Sequence, residues 1–427
     1  MVKIKKNKFC ISCGTRLPKD IVHIGRQYPS AIYLSKNIKK PKNLKSSSLN
    51  LTRCENEDCN LIQLSHIYNL QYVFDNYPYE SGTTANMRKI LNDVLIDAYK
   101  IYRLKKKDVF LDIGGNDGTL LNLIDVPVKA RINIDAAAGV KQVISDPDYK
   151  HIYGFFDAKT YKKLNLPNPK FITSIAMFYH LSNPLKFIKD IYEIMDENTV
   201  WILQMTYVGT MLRDNVVDNI VHEHVAYYSL HSLEFLLSKV GLHIADAKLV
   251  DSYGGSLRVF IVKNLKKFPQ KKLRKNYNKI KKFEKNNNTN TFNELYSFNS
   301  RIQLFKYTFK ELVNYCSSKK GSLWAFGAST KGNMILQLIG ATKKEIPYIL
   351  DNNKKKIGTK TTGSLIPIID ESTNLLNLPK YLLILPYYYK KTFVKIIEKV
   401  LPRGKSVDLL IPLPYPHFIK VNSKKNK

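Results

Sequence analysis

Apolar positions in this chain fall into short blocks that alternate with stretches of helical spacing. Val109, Phe110 and Leu111 form an unbroken apolar block of strand length, the pattern of a strand buried on both faces. The block breaks into a turn holding Gly114, Gly115 and Gly118 and then opens a helix. Further strand-like blocks follow at Ala130–Asp135, 171–178 and 200–205, with a helix predicted from about Pro184. The blocks 244–250 and 256–262, joined through Gly254 and Gly255, predict a closing hairpin. Strands that alternate with helices imply a mostly parallel, doubly wound sheet.

A second unit of the same kind begins at Ser322, where a strand leads through a turn of small residues into a helix over 334–338. A strand over 346–351 ends in Asp351, and another covers 381–386. Between the two units, residues 264–290 are dominated by Lys and Asn, the pattern of a solvated linker or a polar helix, and a helix around 292–318 follows. Residues 1–70 are irregular. The predicted organisation is therefore an N-terminal domain (1–70), a central α/β domain (71–265), a basic linker (266–295) and a C-terminal Rossmann-like domain (296–420).

Length and charge narrow the picture. A chain of 427 residues is too long for one typical domain. The formal charge of +33 invites a nucleic-acid reading, but the excess is mostly Lys spread along the whole chain beside many Asn, Ile and Tyr. Basic stretches with stacking aromatics at regular spacing are not evident, so no specific nucleic acid is expected as a partner. No window approaches 18 apolar residues and no apolar stretch follows a charged start, so neither a membrane span nor a signal peptide is expected, which predicts a cytoplasmic protein. The sequence does not speak to oligomeric state.

Candidate chemistry falls in four places. Cys10-x-x-Cys13 and Cys54-x4-Cys59 present two thiolate pairs that can close a tetrahedral zinc site, with reduced structural cysteines as the alternative. The turn Asp112-Ile-Gly-Gly-Asn-Asp-Gly-Thr lacks the Gly-Lys-Ser/Thr of a triphosphate loop, and an acid at its strand end suits a cation. Asp135 closes the next strand about 20 residues past the loop, the spacing at which an acid holds a ribose hydroxyl pair. The run Asp218-Asn-Ile-Val-His222-Glu223-His224-Val-Ala-Tyr227-Tyr228-Ser229 falls on a loop at the carboxyl edge of the predicted sheet, where ligands bind. A neutral imidazole there has the basicity of a general base near pH 7, although a lone His is also a common structural residue. In Gly327-Ala-Ser-Thr-Lys-Gly-Asn333 the backbone donors, a hydroxyl and an ammonium fit a diphosphate.

The first loop resembles the first motif of class I S-adenosylmethionine (SAM) methyltransferases. Taken in order, Cys10/Cys13/Cys54/Cys59, Tyr77-Pro-Tyr79-Glu-Ser-Gly, the Asp112 loop, His222-Glu-His-Val-Ala-Tyr-Tyr-Ser, Gly254-Gly-Ser and the Gly327 loop resemble the sugar C-methyltransferase family over about residues 8–415. The resemblance implies a class I doubly wound SAM domain, a small zinc-binding N-terminal domain and a second Rossmann-like α/β domain. It implies methylation of the carbon beside a ketone in a nucleotide-linked deoxysugar. His224 would be the general base, Glu223 its partner, and Tyr79 and Tyr227 the lining of the sugar pocket. Asp112, Gly114, Asn116, Gly118 and Asp135 would hold SAM, and Ser329, Lys331 and Asn333 would approach the nucleotide diphosphate. The four cysteines would hold Zn2+. The rival expectations are a sugar O- or N-methyltransferase, a nucleic-acid-binding protein or RNA methyltransferase, and an NAD-dependent reductase, which lacks a G-x-G-x-x-G loop here.

Overall fold

The computed structural model describes residues 4–38, 44–69, 80–137, 140–252, 254–319 and 321–423. Its centre is a seven-stranded sheet whose strands we number in chain order. They are β1 (Val109–Ile113), β2 (Ala130–Asp135), β3 (Tyr149–Tyr153), β4 (Phe171–Ile175), β5 (Val200–Thr206), β6 (His243–Val250) and β7 (Ser256–Val262). Their spatial order is β6-β7-β5-β4-β1-β2-β3, and only β7 runs against the rest. The sheet therefore turns back at β1, and its Gly-rich turn opens at the carboxyl edge where a doubly wound sheet binds ligands. Strands β1, β2 and β4 are buried at every position, as parallel strands covered on both faces must be. β3 is the exception: it is an edge strand of sequence Tyr-Lys-His-Ile-Tyr with no buried position, so it carries no apolar block for a sequence reading to find.

The C-terminal unit is a six-stranded sheet in the order Ile368–Asp370, Ile349–Asp351, Leu323–Phe326, Tyr381–Ile384, Ser406–Ile411, His417–Asn422. All but the last strand run parallel. The N-terminal region is less separate than its composition suggests. Its strands Val22–Gln27, Ser47–Arg53 and Ile62–Leu64 form a sheet that Ala226–Tyr227 of the central unit completes. Its strand Tyr33–Ser35 pairs with Thr359–Thr361 of the C-terminal unit. Ile24, Leu49 and Leu64 share one core with the long helix Phe292–Ser317 and the C-terminal sheet, whereas Cys10, Cys54 and Cys59 share another with Trp201 and Tyr228 of the central unit. The described residues among the first 70 are thus a wedge between both halves.

In the basic segment 266–295 the polar-helix alternative is the one the structure shows. The segment holds the helix Tyr277–Asn286, which buries Tyr277, Ile280 and Glu284 at helical spacing and turns its lysines outward. Glu284 accepts from the Tyr207 hydroxyl at 2.7 Å, from Asn290 Nδ2 at 3.0 Å and from the backbone N–H of Leu230. One buried carboxylate on an otherwise basic helix locks it to the central unit. Among the described residues no helix is long and apolar enough to cross a membrane.

Candidate active site

The first loop is built from carboxylates. Asp112 is 2% exposed at the end of β1, and Thr173 Oγ1, from its register partner on β4, donates to Asp112 Oδ1 at 2.6 Å. Burial pushes the Asp112 carboxyl up to about 7, against the pull of that hydrogen bond, and Asp135 and Asp117 push the same way. Asn116 takes a left-handed φ of 54°, and its N–H donates to Asp135 Oδ2 at 2.8 Å. The other oxygen of Asp135 accepts from the Ala137 N–H at 2.6 Å. Asn116 Oδ1 and Asp117 Oδ2 accept from the N–H groups of Ser81 and Gly82, at 2.9 and 2.7 Å, and so tie the loop to the end of the Tyr77-to-Gly82 motif. A Cβ has no room at Gly114, Gly115 or Gly118, and the first and last of these also take a left-handed φ. At Gly118 (φ 81°) a Cβ would lie 2.9 Å from the Tyr149 hydroxyl, and at Gly114 (φ 73°) it would lie 2.8 Å from Met177 Cγ. Three carboxylates around a glycine turn that admits no added side chain are a donor set for a cationic ligand with hydroxyls, which fits SAM.

The His segment follows the turn Val217–Asn219. His224 Nδ1 lies 2.8 Å from the Asn219 carbonyl oxygen, and the Tyr227 hydroxyl donates to the same oxygen at 3.2 Å. A carbonyl only accepts, so Nδ1 carries the imidazole proton and Nε2 keeps its lone pair. Burial, then the neighbouring His180 and Lys331, hold His224 well below the usual imidazole range, so it is neutral at pH 7. Its ring packs on Tyr179 (4.2 Å between centroids) and stacks on His180 (5.5 Å). These residues follow Ala176, which takes a left-handed φ of 58° where the chain leaves β4. Since Met177 faces Gly114, one short segment links the first loop to the imidazole.

The three residues of His-Glu-His do not act as one group. His222 is buried edge-on to Tyr68, with centroids 5.3 Å apart, and burial takes it down to about 3. Glu223 is 3% exposed, burial raises it to about 7, and Oε2 has no hydrogen-bond partner among the described residues. Among the described residues no hydrogen bond joins Glu223 to His224, whose orientation comes from the Asn219 carbonyl instead. Tyr79 lies outside the described residues.

In the second loop, Ser329 caps the helix Thr330–Leu338 by accepting from the Gly332 N–H at 3.0 Å. Lys331 Nζ donates to Asn219 Oδ1 and lies 4.8 Å from the Tyr388 ring centroid, and burial lowers it to about 8. Asn333 is placed differently from the sequence expectation. It is 1% exposed, and its Nδ2 donates to the Ser30 carbonyl and to Thr362 Oγ1, so it joins the N-terminal wedge to the C-terminal unit instead of facing a ligand. Sequence reasoning missed Lys356 and Tyr33, which both donate to the Ala328 carbonyl, at 2.8 and 2.7 Å. It also missed His180 and Asn219 as site residues. His180 lies in the short turn Phe178–His180 that follows β4 at the ligand-binding edge, a signal that was available, but nothing local marks Tyr33.

The four cysteine sulfurs lie within 4.8 Å of one another and form no disulfide. Zinc–sulfur bonds of about 2.3 Å in a tetrahedron set sulfurs roughly 3.8 Å apart. Here Cys10 and Cys59 are 3.7 Å apart, and Cys13 and Cys54 are 3.4 Å apart. The donor set fits a tetrahedral soft-metal site.

Comparison with known proteins finds methyltransferases. Residues 84–247 match the family described as a methyltransferase domain, and residues 251–414 match the C-methyltransferase C-terminal domain. The chain is 22% identical to the C-methyltransferase NovU of Streptomyces niveus over 367 residues, 86% of each chain. Similar solved structures include a SAM-dependent methyltransferase from Aquifex aeolicus, at 16% identity and TM-score 0.29 over 41% of this chain and 89% of that one. They also include CalO1, a methyltransferase in calicheamicin biosynthesis, at 12% identity and TM-score 0.30 over 41% of this chain and 54% of that one. The chain is a SAM-dependent methyltransferase in which a methyltransferase domain is followed by a match to the C-methyltransferase C-terminal domain.

Proposed function

We propose that this enzyme methylates a ring carbon beside the ketone of a nucleotide-linked deoxysugar, with His224 as the general base. The observation that carries the reading is the His224 imidazole, held neutral by burial and fixed through Nδ1 so that Nε2 is the free base. A ketone acidifies the adjacent C–H enough for such a base. His224 Nε2 takes that proton, and the C–H electron pair moves into an enolate. The enolate carbon then forms the new C–C bond, while the S–CH3 bond breaks and its electron pair stays on sulfur. SAM, when bound, supplies the electrophilic methyl group. Asp112, Gly114, Asn116, Gly118 and Asp135 would hold it, with Asp112 ionised opposite the sulfonium.

Ser329 and Lys331 lie at the turn that would receive the diphosphate, and Lys356, close by on the Ala328 carbonyl, adds a second cation. Tyr227, which shares the Asn219 carbonyl with His224, lines the sugar pocket. Tyr79 is proposed for the same pocket from the sequence resemblance alone. Glu223 is an acid of the same segment and acts without a direct hydrogen bond to His224. The four cysteines are proposed to hold one structural Zn2+, which elemental analysis of the purified protein would read as one zinc per chain, lost in Cys54→Ser.

The test of the whole reading is incubation with 13C-methyl SAM and a panel of nucleotide keto-deoxysugars and amino-sugars. A 13C-methyl signal on a ring carbon upholds it. A methyl on oxygen or nitrogen keeps the cofactor and retires the enolate. Transfer to RNA in place of any sugar overturns the substrate class.

A further inference from the structure

We infer that the turn Val217–Asn219 is a positioning device through which the C-terminal unit sets the catalytic imidazole, with Asp218, Tyr387, Tyr388 and Lys331 as its working parts. The inference rests on the reading of His224 as the base. Asp218 and Asn219 are both 0% exposed, although they lie on a loop at the sheet edge. A carboxylate buried without partners would cost several kcal/mol, so what surrounds it is informative.

Tyr387 donates its hydroxyl to Asp218 Oδ1 at 3.2 Å, and Tyr388 donates its hydroxyl to Oδ2. Both phenols come from the turn that follows strand Tyr381–Ile384 of the C-terminal unit, and their rings are 4.0 Å apart. Lys331, from the other loop of that unit, takes the neighbouring residue by Asn219 Oδ1. Asn219 Nδ2 is buried and has no hydrogen-bond partner among the described residues, so the amide is anchored through its oxygen.

These bonds hold the side chains of 218 and 219, and the carbonyl of 219 is what fixes His224 and Tyr227. The distance from the second sheet to the base is two residues of backbone. If the turn rotates, the carbonyl leaves Nδ1, and the imidazole loses the bond that keeps its proton there. These residues touch no reacting atom; they act through the imidazole. A residue that merely stapled the units together would affect stability and leave the tautomer alone.

The experiment is 15N NMR of the His side chains in the full-length enzyme, with the His224 signals assigned by their loss in His224→Asn. It is read alongside kcat and KM in Tyr388→Phe, Tyr387→Phe and Asp218→Asn. Wild type should show a protonated Nδ1 and an unprotonated Nε2. Tyr388→Phe and Asp218→Asn should average the two nitrogen shifts and lower kcat about tenfold or more, the loss of one charge-assisted hydrogen bond, with KM for SAM within twofold. Gln303→Ala, which breaks an exposed contact to the His23 carbonyl elsewhere between the units, should change neither. If Asp218→Asn does not fold, the two Phe variants decide. Unchanged His224 shifts in folded variants overturn the inference, even if His224 proves to be the base. Shifts that move while transfer continues unchanged uphold the positioning and retire His224 as base.

Discussion

The two strand–turn–helix loops use one backbone device and opposite charge. In each, the next strand ends in an acid that closes the turn. Asp135 Oδ2 accepts from the Asn116 N–H at 2.8 Å, and Asp351 Oδ2 accepts from the Ala328 N–H at 2.7 Å. In each, the other oxygen accepts from the residue two positions on, Ala137 at 2.6 Å and Asn353 at 2.7 Å. The surroundings then diverge. The first loop adds Asp112 and Asp117, while the second adds Ser329, Lys331 and Lys356. An acid at the end of a second strand therefore does not identify a ribose site by itself, because here it serves first as a backbone acceptor. Under the proposed function it is the side chains around each turn that would separate a site for a cation from a site for an anion.

The comparison can be broken first at the base between the loops. His224→Asn should lower kcat roughly 10²- to 10⁴-fold, the usual contribution of a general base, and leave SAM affinity by calorimetry unchanged. A loss of SAM binding would mean that the imidazole belongs to the first loop. Next come the loop charges themselves. Asp112→Asn should weaken SAM about 10- to 100-fold, as expected for a hydrogen bond to a charged group, and leave nucleotide-sugar affinity alone. Lys331→Met should do the reverse. Equal losses in both variants would show that the loops are not separate sites.

The helix starts differ as well. Gly118→Ala puts a Cβ into a left-handed position against Tyr149 and should cost about 1–2 kcal/mol. Ser329→Ala removes a side-chain cap and should cost about 1 kcal/mol. Urea unfolding monitored by fluorescence reads both, and a larger loss at Ser329 would contradict the assignment. The smallest effect is with pH. Burial raises Asp112 to about 7, so below pH 7 its carboxyl is neutral and above it is the carboxylate that attracts a sulfonium. SAM affinity should rise several-fold between pH 6 and 8, and Asp112→Asn should flatten that slope. For the same reason the cofactor-free protein should lose stability as pH rises from about 4 to 7, because the folded state there holds a proton that the unfolded chain has released.

Much of the fold was legible in the chain because its buried strands carry short clusters of apolar, mostly β-branched or aromatic residues bounded by turn residues. The blocks at 130–135 and 256–262 coincide with β2 and β7, and those at 200–205 and 244–250 fall one residue short of β5 and β6. β3 was not legible, since an edge strand with polar faces looks like a loop. For a related reason the segment 266–295 left two readings open, a linker or a polar helix, and its middle folds as the helix Tyr277–Asn286. Its composition is set by the lysines on the outer face, while Tyr277, Ile280 and Glu284 do the packing. At the candidate site, local motifs singled out Asp112 and His224. They did not single out Asn219, Asp218 and Tyr388, since their role depends on a contact across about 170 residues.

What the sequence determined alone is the set of local parts: two glycine turns that only small residues can make, two cysteine pairs, and an imidazole beside an acid. These follow from steric limits on the backbone and from the chemistry of single side chains. Tertiary structure decided which partner each part meets. It split the N-terminal residues between two cores, turned Asn333 into a joint, and gave His224 a carbonyl in place of Glu223. Hydrogen-bond partners are chosen by distance in space, and distance in space between residues far apart in the chain is set only when the sheets have packed.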